Sequence, residues 1–134
     1  MTRTVVIGKA DAEMKRLYNT VLKAQLTVIE ALEAGERGCR KLDSIARDII
    51  DGTEGYTGAF GHSLGHGVGM YIHENPRLSK AAAENAFLKV GQVFTDEPGI
   101  YLSGKYGCRI EDMLTLTENG LLNFAHSPKE LIEL

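Results

Sequence analysis

The chain has 134 residues, enough for one domain with its own core and too few for two. Hydrophobic residues make up 43% and charged residues 25%, a composition that fits neither a disordered tail nor a fibrous repeat. The 15 Lys and Arg against 18 Asp and Glu give a formal charge of -3 with no basic run, and neither a bilayer-length apolar stretch nor a signal peptide is evident, so no nucleic acid, no membrane and a cytoplasmic location are expected.

Residues 4–7, Thr-Val-Val-Ile, read as a short strand stopped by Gly8, with no evident partner strand. From Asp11, apolar residues recur at Met14, Leu17, Tyr18, Val21, Leu22, Val28, Ile29 and Leu32, which predicts a helix closed by Gly35; Gln25 is a polar lapse in the stripe. A second helix carries Leu42, Ile45, Ala46, Ile49 and Ile50 and runs out at Gly52. Glycines then crowd residues 52–69, where the backbone must do something that a side chain would prevent. Val68, Met70 and Ile72 alternate with Gly69, Tyr71 and His73 in the period of a strand, and residues 93–96 and 109–117 read similarly, with Pro98, Gly99, Gly104 and Gly107 marking the turn between them. In the tail, Ser127 before Pro128 with Glu130 three residues on predicts a helical turn. The pattern is α+β, two helices packed on an antiparallel sheet. Cys39 and Cys108 form no CxxC pair and read as buried reduced thiols.

Three of the four histidines, His62, His66 and His73, fall in the segment GHSLGHGVGMYIHE, and glycines flank His66 on both sides as if to keep bulk away from its imidazole. His126 stands alone and reads as surface. Two acidic segments follow, TDEPG with Asp96 and Glu97, and RIED with Glu111 and Asp112. Strand alternation puts Arg109, Glu111 and Met113 on one face and Ile110, Asp112 and Leu114 on the other. If the strands around Glu97 and Glu111 pair antiparallel, both carboxylates can meet the His66 imidazole, a donor set that suits Mn, Fe, Co or Zn. Spacing alone leaves a second reading open, in which the two glutamates are edge-strand charges that deter aggregation. Other chemistries fail on the residues: there is no HExxH and no GxxxxGK[ST], and the glycine cluster does not join a strand to a helix as a dinucleotide loop requires.

The segments GHSLGHGVGMYIHENP, VFTDEPGIY and CRIEDMLTLTENG, in that order, resemble the successive motifs of the pita-bread metallopeptidases, the family of aminopeptidase P, prolidase and methionine aminopeptidase. The histidine four residues before His66, the EPGIY and the arginine two residues before Glu111 resemble the proline-specific branch. The resemblance implies that residues 1–134 are the C-terminal half of a pita-bread catalytic domain acting on the peptide bond that precedes proline. It implies His66, Glu97 and Glu111 as metal ligands, His62 and His73 as catalytic residues on the scissile carbonyl and the tetrahedral intermediate, and Tyr101 and Arg109 as substrate-binding support.

The family's complete site holds two divalent ions, Mn2+ with Co2+ or Zn2+ as alternatives, on five ligands. By the resemblance the two missing ligands are aspartates on strands ahead of this chain, the second immediately before Met1. The expectation is therefore three of five ligands, at most one weakly bound ion, and no activity for the chain alone. Asp96 also departs from the resemblance, which places an apolar residue beside the ligand glutamate. The expected partners are a proline-containing peptide and either a second copy of the chain, forming a homodimer, or the missing N-terminal half. A reading of another class is a non-catalytic peptide-binding or scaffold protein that kept the fold.

Overall fold

A computed structural model describes residues 1–134. Asp11 starts the first helix, α1 (Ala12–Glu33), because its carboxylate accepts the Met14 amide at 2.7 Å, one of the amides that a helix start leaves unpaired. Leu17, Tyr18, Val21, Ala24, Val28 and Leu32 form its buried stripe. Gly35, at φ +100°, turns the chain out of the helix in the left-handed region. The second helix, α2 (Cys39–Asp51), packs against α1 and buries Cys39, Leu42, Ala46 and Ile50. Both cysteines are free and buried, and burial pushes the Cys108 thiol up to about 11.

The remaining elements are short strands. β1 (Val5–Val6) and β9 (Ile132–Glu133) make a parallel pair. The main sheet is antiparallel and has the order β3-β2-β4-β7-β8, with β2 (Gly65–Gly67), β3 (Glu74–Leu78), β4 (Val93–Asp96), β7 (Asp112–Thr117) and β8 (Gly120–Asn123). A separate antiparallel pair joins β5 (Gly99–Leu102) to β6 (Tyr106–Arg109). Leu64, Leu78, Phe94, Ile100, Ile110 and Leu114 from this layer meet the helices in one core. The architecture is the expected α+β arrangement of two helices on antiparallel sheet.

Three local expectations are corrected. Residues 68–73 are a loop, not a strand: Met70, Tyr71 and Ile72 are exposed, and the loop is closed by its own bonds, Gly69 N–H to the Tyr71 carbonyl at 3.1 Å and Tyr71 N–H to the Glu74 carboxylate at 2.8 Å. Alternation without a buried face carries no strand. The tail forms no helical turn, because the carbonyls of Ser127 and Pro128 accept from the Arg3 guanidinium and that of Lys129 accepts from the Tyr18 hydroxyl. Those acceptors are unavailable to a helix, and the chain runs on to β9, which is the partner strand that β1 lacked in the sequence reading.

Candidate metal centre

His66 lies on β2 and is only 8% exposed. The Thr95 hydroxyl on β4 accepts the His66 amide at 3.0 Å and donates to Glu97 Oε1 at 3.1 Å, so one buried side chain fixes both the histidine and the glutamate. The His66 Nδ1 faces the Gly67 carbonyl at 3.0 Å. A carbonyl can only accept, so Nδ1 carries the proton and the Nε2 lone pair is directed outward. That lone pair meets Glu97 Oε1 at 3.1 Å. Two acceptors at this distance need a cation or a proton between them, and donors bound at about 2.1 Å to one ion sit at about this spacing when nearly perpendicular. The donor set therefore fits a divalent ion.

The glycines beside His66 act differently from the expectation. A Cβ on Gly65 would run into the Thr95 carbonyl oxygen, and one on Gly67 into the Asn75 carbonyl oxygen. The space is taken by neighbouring strands, so these glycines let backbones close around the imidazole and do not hold open a path for a ligand.

Helix α2 positions the segment before β2. Asp43 is fully buried, accepts two bonds from the Arg47 guanidinium at 2.9 and 3.0 Å, and accepts the Leu64 amide at 3.0 Å. Arg47 in turn donates to the carbonyls of Phe60 and His62 at 2.8 and 2.9 Å. His62 gives its Nδ1 proton to the Ser63 carbonyl at 2.8 Å and accepts the Tyr101 hydroxyl at Nε2, also at 2.8 Å. Arg109 Nη1 donates to that hydroxyl at 3.4 Å, and its Nε lies 3.9 Å from Glu97 Oε2. The Tyr101 hydroxyl and the carboxylates of Glu97 and Glu111 hold the Arg109 pKa above its ordinary value, so it stays cationic. His73 is exposed and packs its ring edge-on to His66, with centroids 4.4 Å apart.

Glu111 stands at the next position along this network. Its carboxylate accepts the Thr2 hydroxyl and lies 3.6 Å from the Met1 ammonium, while Arg109 Nε donates to the same Thr2 hydroxyl at 3.3 Å. Glu111 is joined to His66 and Glu97 through Arg109 and Thr2, and no group of three His, Cys, Asp or Glu side chains closes on one point. His62, His66, His73, Glu97, Tyr101, Arg109 and Glu111 thus form one connected surface, with His66 and Glu97 as its tightest pair.

Sequence reasoning missed Thr95, Thr2 and the buried polar groups behind the site. Asp96 and Asp112 face one another across β4 and β7. Asp112 is fully buried and is bonded by Arg3 at 2.8 Å, Lys129 at 2.7 Å, Asn123 at 2.7 Å and Gln25 at 3.1 Å. Burial alone would raise its pKa; the bonds from Lys129, Asn123 and Arg3 outweigh that and leave it below the usual range. Asp96 has no hydrogen-bond partner for either carboxylate oxygen, and burial, followed by the nearby Asp112 charge, pushes it well above the usual carboxylate range. The lapse at Gln25 was a visible signal, since a polar residue in a buried helical stripe demands a polar partner.

The family description "Metallopeptidase family M24" matches residues 1–118, and the chain belongs to that family. The chain is 45% identical over 132 residues to the Xaa-Pro dipeptidase of Pyrococcus furiosus, covering 98% of this chain and 37% of that protein. It is 44% identical over 134 residues to an uncharacterized peptidase of Bacillus subtilis, again covering 37% of the relative. Among solved structures, the Xaa-Pro dipeptidase from Bacillus anthracis matches with a TM-score of 0.87 and 41% identity, over 98% of this chain and 36% of that one. The X-Pro aminopeptidase from Thermotoga maritima matches with a TM-score of 0.87 and 40% identity, over the same shares. The fold is thus part of a pita-bread fold, the family's chemistry is that of a metal-dependent hydrolase, and the chain spans little more than a third of the relatives it matches.

Proposed function

We propose that this chain is the metal-binding half of a Xaa-Pro peptidase, holding one divalent ion on His66 and Glu97 with Glu111 as the third ligand. The observation that carries the reading is the His66 Nε2 lone pair set against Glu97 Oε1 at 3.1 Å, with the tautomer fixed by the Gly67 carbonyl. Thr95 holds both donors in that register. Glu111, whose Oε2 accepts the Thr2 hydroxyl, would offer its other carboxylate oxygen as the third ligand.

An ion bound there supplies Lewis-acid polarisation of a substrate carbonyl and lowers the pKa of water beside it. Glu97, with one oxygen on the His66 side and the other turned toward Arg109, is placed to accept a proton. His73, exposed at the edge of the His66 ring, is the side chain free to donate to the carbonyl oxygen of a bound peptide. The line Arg109 to Tyr101 to His62 holds the His62 ring, which would serve as a second contact for the substrate, and keeps positive charge beside the carboxylates. The proposed substrate is a peptide with proline after the scissile bond, because the similar proteins of Pyrococcus furiosus and Bacillus anthracis are Xaa-Pro dipeptidases.

Two-metal hydrolysis needs ligands beyond the three in this chain, from preceding polypeptide or from a second copy in a homodimer. Manganese is the proposed ion, and the cytoplasm the proposed location. The test is metal content and Xaa-Pro dipeptide hydrolysis on the purified 134-residue chain with Mn(II), beside His66→Ala and Glu97→Gln. One weakly bound ion per chain, lost in both variants, with no turnover, is the expected result. Failure of the unaltered chain to bind any divalent ion would overturn the metal reading, and turnover with two ions per chain would overturn the ligand count.

A further inference from the structure

Arg3 spends every donor it has on two places. Its side chain is 11% exposed, and its five N–H groups each make one bond. Nη1 donates to the carbonyls of Thr2 and Glu111, both at 2.9 Å; Nη2 donates to Asp112 Oδ1 at 2.8 Å and to the Ser127 carbonyl at 3.1 Å; Nε donates to the Pro128 carbonyl at 2.9 Å. Thr2 and Glu111 also exchange both backbone bonds, at 3.2 and 3.0 Å. One guanidinium nitrogen therefore sits across the two carbonyls of the bridge that carries Glu111, and the same bridge carries the hydroxyl that holds the Glu111 carboxylate. The other side of the fork is tied to a fully buried carboxylate on the next residue and to two carbonyls of the tail.

An ion pair with Asp112 would need only a charge, and Lys129 already supplies one at 2.7 Å. Gripping both bridge carbonyls with one nitrogen while the other two reach Asp112, Ser127 and Pro128 needs the spread of a guanidinium, which a single ammonium nitrogen does not offer. We infer that Arg3 is a positioning residue for the Glu111 carboxylate, acting through the Thr2–Glu111 bridge and braced against the tail at Ser127 and Pro128. The inference rests on the reading of Glu111 as a metal ligand.

The test compares Arg3→Lys, Arg3→Met and Val28→Ala, the last a core change on α1 away from the site, by thermal melting and by Co(II) titration followed in the visible spectrum. Arg3→Lys, which keeps a charge on Asp112, should recover most of the melting temperature lost in Arg3→Met. Neither should recover the cobalt affinity: both fall by roughly 10-fold or more, as loss of a ligand-orienting partner does, and the cobalt band changes shape. Val28→Ala should lower the melting temperature and leave affinity and band unchanged. Cobalt affinity in both Arg3 variants equal to that of the unaltered chain would overturn the inference and leave the metal reading standing. Recovery of affinity by lysine would also overturn it, assigning Arg3 to charge alone. No cobalt binding by the unaltered chain would overturn both.

Discussion

Replacing Asp96 by valine should make this chain more stable, and by an amount that grows with pH. Asp96 is 0% exposed and neither carboxylate oxygen has a partner, so it is a polar group removed from water with nothing returned. Burying such a group uncompensated costs about 2 kcal/mol, and the extra apolar surface of valine adds about 1 kcal/mol, a gain of about 3 kcal/mol. For 134 residues an unfolding entropy near 2.1 cal/mol/K per residue totals about 0.28 kcal/mol/K, so the melting temperature should rise by about 10 °C. The pH dependence follows from the raised pKa, caused first by burial and then by the Asp112 charge. The folded chain keeps the Asp96 proton over a range in which the unfolded chain has lost it, so the folded state binds more protons and stability falls as pH rises above the ordinary value of 3.8. Melting should be followed by circular dichroism at pH 4 and pH 8, with Asp96→Asn as the comparator that keeps the buried polarity and cannot ionise. Valine should stabilise at both pH values and more at pH 8; asparagine should stabilise only at pH 8. A valine variant that melts below the parent at pH 8, or a gap that is the same at both pH values, would refute the reasoning.

Thr95→Val keeps shape but removes the hydroxyl that pairs with the His66 amide and Glu97; the buried amide left unpaired should cost about 2 kcal/mol, read as a drop in melting temperature of about 7 °C, together with weaker cobalt binding. Gly65→Ala drives a methyl into the Thr95 carbonyl and must part β2 from β4, so we expect a loss above about 3 kcal/mol by urea denaturation, and an alanine variant as stable as the parent would show the strands are not so close. Gln25→Leu removes a donor to Asp112 and the acceptor of Lys129 Nζ at 2.9 Å inside the core; chemical denaturation should show a loss of about 1–3 kcal/mol despite the more apolar side chain.

What the sequence disclosed follows from where its periodicity has a cause. The stripe from Leu17 to Leu32 and the stripe from Leu42 to Ile50 are legible because each covers one side of a helix that buries one face. The faces of Arg109, Glu111 and Met113 against Ile110, Asp112 and Leu114 also hold, since Ile110, Asp112 and Leu114 are buried and the other three are not. That alternation survives although the run is broken at Ile110, where the chain leaves β5 and turns to β4. Residues 68–73 misled because glycine and apolar residues can alternate in a loop closed by a single carboxylate, Glu74. The tail misled because its capping pattern is local, whereas its carbonyls are claimed by Arg3 and Tyr18 from more than 100 positions away. Of the site, the residue types and their order were legible. The Thr95 hydroxyl, the Thr2 bridge and the grip of Arg3 were not, because each depends on which strands become neighbours.

The parallel pairing of β1 with β9 and the Arg3 bonds to Ser127 and Pro128 set an order of events during synthesis. Thr2, Arg3, both helices and His66 leave the ribosome well before Glu111 and the tail that braces Arg3, and the bonds around Glu111 span separations of 108 to 125 residues. Contacts of that span close late, after the loops between them have lost their freedom. A nascent chain cut short just before Ser127 would hold every proposed ligand and still lack the two tail carbonyls that brace Arg3. Closure of the centre therefore waits on a segment that carries none of its ligands: residues 127 and 128 complete a brace that Arg3 begins.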